Sequence, residues 1–235
     1  MKHPLRSAKD FPLRLPYQHH LAGHLRGAIP RRGLVAEYLL NGDVLDTNDG
    51  TKHHGTATNV SFADTPTGYQ RQCGVFGGSN SKVNCGTEVV HGNSFTVVAF
   101  YKRGATSGED MIFTKWAASN DRYGVGFIGG GTNLVMNIGT DGTWRTVAAS
   151  TDTNWHMVTL AFTRGRAYGY FDNNSATVDI ATTYSENNAV AFTIGDFAPG
   201  TGAFNGNIQE VRVYGTILTD AERLALWYYF IHTFH

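Results

Sequence analysis

Charge and cysteine are scarce in this sequence. Charged residues make up 16% of the 235 residues, below the roughly 25% of an ordinary soluble domain. The two cysteines, Cys73 and Cys85, are too few for a disulfide scaffold or a four-cysteine zinc site. No run of about 18 apolar residues is present, which excludes a membrane-spanning helix. The N-terminal residues lack the apolar stretch of a secretory signal, so we expect no secretion by the usual route.

Glycine and aromatic residues are abundant instead. The chain has 28 Gly, 14 Phe and 11 Tyr, and 41% of its residues are hydrophobic. This mixture favours a single β-rich domain with many turns. Short apolar strands recur, as in Phe95–Tyr101, His156–Phe162 and Ile208–Tyr214, a spacing typical of a sandwich or jelly roll. Thr219 and Glu222 form a capping-box pattern, which predicts one short helix near the C-terminus.

A zero net charge hides two oppositely charged regions. Residues 1–32 hold seven basic residues and one acidic residue (7 − 1 = +6), and residues 33–235 hold 12 basic and 18 acidic residues (12 − 18 = −6). Four of the six prolines fall within residues 1–32, so we expect an extended basic arm, 1–32, before a folded body, 33–235. A solvated, disordered leader is the alternative.

The arm combines basic and apolar side chains, as a segment that contacts a partner would. We expect its arginines to bind an acidic neighbour and its apolar residues to fill that neighbour's grooves. The predicted partner-binding residues are Arg6, Phe11, Leu13, Arg14, Leu15, Tyr17, Arg26, Arg31 and Arg32.

Several segments of the body, in order along the chain, carry a resemblance to a known family. They are Gly33–Gly42, His54–Thr56, Val75–Gly78 with Ser94–Val97, Asn154–Val158, Tyr170–Asn173, and Phe204–Tyr214 followed by Leu218–Glu222. Through them, about residues 33–228 resemble the laminin-G-like jelly rolls of the concanavalin-A-like lectin/glucanase superfamily. The resemblance implies an all-β fold, a two-sheet antiparallel jelly-roll sandwich, here with an extended N-terminal arm and one short C-terminal helix.

The carboxylates that glycoside hydrolysis needs are missing from the pattern. That reaction uses two carboxylates roughly 5–10 Å apart, and the glucanase branch of the superfamily carries a Glu-X-Asp-X-Glu run that this sequence lacks. The family's Phe-Asp-Gly reads Phe76-Gly77-Gly78 here, so an acid is lost. Asp220 and Glu222 lie at a helix start, where acids serve the cap and the dipole. We therefore expect a protein that is not an enzyme.

Calcium is the only metal that the sequence favours. Asp43, Asp46 and Asp49 lie in one loop, and carboxylates are the ligands that calcium prefers. Superfamily members often hold a structural calcium between the N-terminal segment and the closing strand, which implies Glu210 as a further ligand. A solvated turn is the alternative, and no cofactor is required.

Five aromatic residues are candidates for a sugar-stacking platform. They are Trp116, Trp144, Tyr101, Tyr123 and Tyr184. Aromatic residues of a sandwich more often belong to its core, and that alternative stays open.

Cys73 and Cys85 lie symmetrically about Ser79 in a predicted hairpin over residues 72–87. An unbulged hairpin would place them opposite each other, close enough to form a disulfide in an oxidising medium. Two reduced thiols facing the core are the alternative.

Together these features predict a non-catalytic structural or recognition module that its arm anchors in a larger assembly. A bacteriophage virion decoration or tail protein, homo-oligomeric and assembled in the host cytoplasm, fits this description. The alternative is a carbohydrate-binding lectin module, calcium-dependent or not, at the cell surface or outside the cell without a signal peptide. A glycoside hydrolase is the weakest alternative. The acidic body disfavours nucleic acid, and no membrane partner is expected.

Overall fold

The computed structural model describes residues 29–65, 71–89, 91–104, 110–116, 122–128, 133–139, 142–149, 152–197 and 202–234. Within them the chain forms two antiparallel β-sheets that pack face to face, and one C-terminal helix. This confirms the predicted all-β, two-sheet sandwich. In this part of the chain no helix is long and apolar enough to cross a membrane.

The chain passes back and forth between the two sheets. In chain order the described elements are β1 (Leu34–Tyr38), β2 (Thr56–Thr58), β3 (Val60–Asp64), β4 (Gln72–Gly77), β5 (Lys82–Asn84), β6 (Phe95–Arg103), β7 (Asp110–Lys115), β8 (Tyr123–Phe127), β9 (Asn133–Ile138), β10 (Arg145–Ala149), β11 (Trp155–Thr163), β12 (Arg166–Phe171), β13 (Val178–Ala181), β14 (Phe192–Ile194), β15 (Asn205–Tyr214) and α1 (Asp220–Phe234). Strands β7 to β10 lie together in one sheet, and β11 to β13 lie together in the other.

An eight-stranded sheet has the order β13-β12-β11-β6-β15-β4-β3, with β1 pairing beside β4 along β15. A seven-stranded sheet has the order β10-β9-β8-β7-β14-β5-β2. Side chains alternate between the two faces of each strand. In β6, Val97 and Tyr101 point into the core between the sheets, and Val98 and Phe100 point to the opposite face.

Helix α1 covers the outer face of the eight-stranded sheet, which we call the helix-covered face. Its capping box forms as predicted, because Thr219 Oγ1 accepts the Glu222 N–H at 3.2 Å and Glu222 Oε2 accepts the Thr219 N–H at 2.8 Å. The helix continues to Phe234, beyond the predicted segment. Phe230 stacks on Phe100 with ring centroids 4.1 Å apart, so the apolar C-terminus packs on the sandwich.

The predicted hairpin over residues 72–87 is wrong. Strand β4 pairs with β3 and β15 in one sheet, and β5 pairs with β2 and β14 in the other. The chain crosses the sandwich at a turn in which Gly78 and Asn80 have positive φ. Cys73 therefore lies under α1 and Cys85 lies in the core, both as buried free thiols. Their separation agrees with the alternative of two unbonded thiols, and burial raises the pKa of the Cys85 thiol to about 12.

Candidate functional site

The outer face of the seven-stranded sheet, which we call the open face, carries a row of polar side chains across its strands. Strand register places Asn137 beside Gly124, Gly124 beside Thr114, Thr114 beside Thr193, and Thr193 beside Asn84. Directly paired residues of an antiparallel sheet share a face, so the four side chains point the same way. We call Asn137, Thr114, Thr193 and Asn84 the polar row. Gly124 leaves a notch in it, because it has no side chain.

Two tryptophans stand at the ends of strands beside this row. Trp116 follows β7 and Trp144 precedes β10, and their rings are parallel within 5° with centroids 5.5 Å apart. Both side chains are half-buried. The Phe197 ring lies 4.5 Å from the Trp116 ring, and the Arg122 guanidinium lies 4.6 Å from its centroid. The aromatic cluster is thus held by packing and by a cation–π contact.

A cleft of about 140 Å³ opens between Trp116 and strand β5. Lys82, Asn84, Thr193 and Asp196 line it together with Trp116. Asp196 is 1% exposed, its Oδ1 accepts the Phe197 N–H, and its Oδ2 lies 3.7 Å from Lys82 Nζ. Within the described residues Asp196 Oδ2 has no hydrogen-bond donor. The cleft therefore offers a buried carboxylate oxygen and a half-exposed ammonium beside an aromatic wall.

The structure leaves two of the five predicted platform residues accessible and buries the other three. Trp116 and Trp144 lie together at the surface as a stacked pair. The prediction is wrong for Tyr101, Tyr123 and Tyr184, since each is at most 5% exposed and lies in the core between the sheets. Burial raises the pKa of Tyr101 and of Tyr123 well above the ordinary value of a phenol. No ligand outside the sandwich reaches these rings.

The four carboxylates predicted to bind calcium do not converge on one point. Asp43 is exposed and accepts the Leu45 N–H, and Asp46 accepts backbone N–H groups from its own loop and from strand β1. Asp49 pairs with Arg31 at 2.9 Å, and Glu210 pairs with Arg212 inside the structure. Among the described residues no three His, Cys, Asp or Glu side chains are grouped to hold a metal ion. The donors present do not fit calcium, because protein N–H groups and arginines already occupy these carboxylates.

A charged network stands where calcium was expected, on the helix-covered face. Arg212 is 2% exposed and forms ion pairs with Glu210 and, at 2.9 Å, with Glu37. Arg31 reaches the same Glu37 at 2.8 Å. Burial raises the pKa of Glu37, but the Arg212 charge and hydrogen bonds from Thr47 and Arg31 outweigh it, so the pKa is lowered. These residues line a cavity of about 400 Å³ together with Arg71 and Tyr229.

Two of the nine predicted partner-binding residues lie within the described chain, and both contact the body. Arg31 bonds Glu37 and Asp49, and Arg32 bonds Glu222 and Thr216. The other seven lie outside the described residues. They are Arg6, Phe11, Leu13, Arg14, Leu15, Tyr17 and Arg26.

The polar row and Asp196 were not predicted from the sequence. Their members come from β9, β7, β14, β5 and the residues just after β14, so only strand order brings them together. Alternation within each strand shows which residues face outward, and this was the one available signal.

Comparison with known proteins identifies the family to which this fold belongs. The family model Laminin_G_3, of the concanavalin A-like lectin/glucanases superfamily, matches residues 76–222. No curated protein matches the sequence. Domain 4 of AbnA, an extracellular arabinanase from Geobacillus stearothermophilus solved with arabinotriose, superposes with a TM-score of 0.62 at 18% identity. That match covers 82% of this chain and 97% of that chain.

Two further solved structures, both of longer chains, contain the same fold. Trypanosoma rangeli sialidase in complex with the inhibitor DANA has a TM-score of 0.63 at 14% identity, over 89% of this chain and 36% of that one. The binding domain of botulinum neurotoxin serotype G has a TM-score of 0.59 at 12% identity, over 83% and 50% of the two chains. At these identities the likeness shows the fold alone. The family match spans more than half of the sequence, and the chain therefore belongs to the Laminin_G_3 family of the concanavalin A-like lectin/glucanases superfamily.

Proposed function

We propose that this protein is a non-catalytic glycan-recognition module that binds sugar on its open face. The observation that carries the proposal is the stacked Trp116–Trp144 pair beside a polar row and a buried carboxylate. Ligand sites combine apolar or aromatic surface with a few placed polar groups. A sugar ring offers both an apolar face for stacking and hydroxyls for Asn84, Thr193 and Asp196.

The cleft supports binding rather than cleavage. Asp196 is the one carboxylate among the described residues that line it, whereas glycoside hydrolysis generally uses two. The structure of the arabinanase domain contains arabinotriose, which makes arabinose oligosaccharides a sensible first probe.

Calorimetric titration of the full chain tests the proposal. The probes are arabinotriose, other neutral oligosaccharides, and sialyllactose as an acidic one. We expect binding to at least one probe and its loss in Trp116→Ala and Trp144→Ala. Trp227→Ala is the matched control, because Trp227 is also half-buried but lies on α1 at the opposite face. Absence of binding to every probe, or equal loss in the control, contradicts the proposal.

A second candidate function is anchoring in a larger assembly, as in a virion decoration or tail protein. Two observations favour it: the +6 arm against a −6 body (7 − 1 and 12 − 18), and the fixing of Arg31 and Arg32 on the body by ion pairs. In this proposal the protein forms a homo-oligomer and is assembled into the virion in the host cytoplasm. The alternative location is outside the cell or at the cell surface. A module of this kind can also bind surface glycans, so the two functions are compatible.

Light scattering of the full chain beside residues 29–235 tests the anchoring function. The shorter chain keeps the contacts of Pro30, Arg31 and Arg32 with the body. We expect the full chain to form a defined oligomer and the shorter chain to be monomeric. Equal masses contradict a role of the arm in self-assembly.

A further inference from the structure

Asn137 is a buried amide that has no hydrogen-bond partner in the part of the chain that the structure describes. The residue is 1% exposed, and neither its amide oxygen nor its amide nitrogen has a hydrogen-bond partner within the described chain. A buried polar group without partners destabilises the folded state. Folded proteins keep few such groups, and each calls for a reason.

The amide lies on the open face, among the groups of the proposed site. In β9 the residues Leu134, Met136 and Ile138 point into the core, so Asn137 points outward. Its neighbour on β8 is Gly124, and there a Cβ would lie 3.6 Å from Trp144 Cη2. Met136 pairs with Arg145, so the next step of the register places Trp144 across from Asn137.

The notch at Gly124 and the Trp144 ring thus border the unpartnered amide on two sides. A side chain at position 124 would also meet Thr114 at 3.1 Å. Glycine here keeps a space between Thr114 and Trp144. Turning Trp144 away from this space would uncover the amide of Asn137.

We propose that Asn137 is the specificity-determining residue of the open face, an inference that rests on the proposed glycan-binding function. Its carboxamide provides one acceptor oxygen and two N–H donors. Two adjacent hydroxyls of a sugar match that set, because each hydroxyl both donates and accepts. A carboxylate offers only acceptors, so it would leave the amide oxygen of Asn137 without a donor. The geometry therefore points to a neutral sugar with two adjacent free hydroxyls, and on binding the Trp144 ring turns out of the notch and stacks on the sugar ring.

Replacement of the amide by an apolar side chain separates this role from a structural one. If Asn137 awaits a ligand, Asn137→Leu and Asn137→Val remove an unsatisfied group and stabilise the free protein. We expect the melting temperature to rise by about 2–4 °C, and glycan binding to weaken by about tenfold or more. Valine is the second variant because its smaller, β-branched side chain suits a strand if leucine is too large.

Asn133→Leu is the matched control. Asn133 lies on the same strand and the same face but is exposed, so we expect neither the melting temperature nor the binding to change. The measurements are thermal unfolding of each full-length variant and titration with the probe that wild type binds best among arabinotriose, the other neutral oligosaccharides and sialyllactose.

Each outcome decides the inference. A higher melting temperature with loss of binding in the Asn137 variants supports it. Lower melting temperatures in both Asn137 variants show that the amide has a structural role and overturn it. Wild-type binding in both variants overturns it as well, and leaves the glycan-binding function intact. Absence of binding by wild type overturns the proposed function and this inference with it.

Discussion

Buried polar side chains have different partners on the two outer faces of the sandwich. On the helix-covered face Arg212 is buried but forms ion pairs with Glu37 and Glu210, and α1 closes over the neighbouring apolar residues. On the open face Asn137 is equally buried and neither of its amide atoms has a partner in the described chain. Arg212 Nη1 and Glu210 Oε2 also have no hydrogen-bond partner among the described residues, but their charges are paired, whereas the Asn137 amide has no partner of either kind. This difference is the basis of the proposal that the open face is the one that recognises a ligand.

The strongest test of this division is Arg212→Ala. The substitution leaves Glu210 buried without its cation and leaves Glu37 with Arg31 alone, so we expect the free energy of unfolding to fall by about 3–5 kcal/mol. Urea unfolding measures the loss. Arg166→Ala is the control, because Arg166 pairs with Asp179 in solvent and its removal should change the free energy of unfolding far less. A loss for Arg212→Ala no larger than that of the control would show that the network does not support the fold.

A somewhat smaller effect is expected from Phe230→Ala, which removes the ring stacked on Phe100 under the helix. We expect a loss of about 3 kcal/mol in the free energy of unfolding. Glycan binding by the folded variant should not change, since the helix lies on the other side of the sandwich. Leu224→Ala on the same helix is the control, as Leu224 is 37% exposed. Weaker glycan binding in Phe230→Ala would show that the two faces are coupled.

The smallest expected effect is a pH dependence of the free energy of unfolding, which arises from a histidine in the eight-stranded sheet. His156 at the start of β11 contacts Asp172 at 3.0 Å and Asp152 at 2.7 Å. Burial lowers the pKa of His156, but these hydrogen bonds and charges outweigh it and the pKa is raised. The protonated form therefore stabilises the fold. This contribution is complete below the unfolded pKa of about 6.5 and is lost as the pH rises through the higher folded pKa.

We expect the free energy of unfolding to fall as the pH is raised from about 6 to 8, since that interval contains the unfolded pKa and the start of the folded titration. Chemical unfolding at a series of pH values measures this slope. His156→Gln should flatten it, and His232→Gln, an exposed site on α1, should not. Glycan binding by the folded chain should be constant over the same interval. A parallel change in binding would contradict the separation of the two faces.

Local patterns in the sequence predicted much of the sandwich. The segment Glu210–Tyr214 alternates between core and outer positions, and a bulge before Glu210 separates it from Ile208. The capping-box pattern of Thr219 and Glu222 predicted the start of α1, because a capping box depends on residues only three positions apart. The end of α1 was missed, since the packing of Phe230 on Phe100 extends the helix, and that contact joins distant parts of the chain.

The site depended on strand order, which local patterns do not contain. Trp116 and Trp144 were chosen for their chemistry, and the fold brings them together. Tyr101, Tyr123 and Tyr184 have similar chemistry but occupy inward positions of their strands. Cys73 and Cys85 are close in sequence, yet the crossing after β4 puts them in different sheets. The polar row joins four strands, and its existence follows from their pairing alone.

The placement of the described chain ends determines how this protein can be displayed. Ile29 packs into the same apolar cluster as α1, so both ends lie against the eight-stranded sheet. A surface or partner that contacts Ile29 or α1 directly therefore lies behind the sandwich and leaves the tryptophan pair facing outward. An array of copies held in this way would present its pairs side by side, and weak single contacts would add up to avid capture of a repetitive ligand.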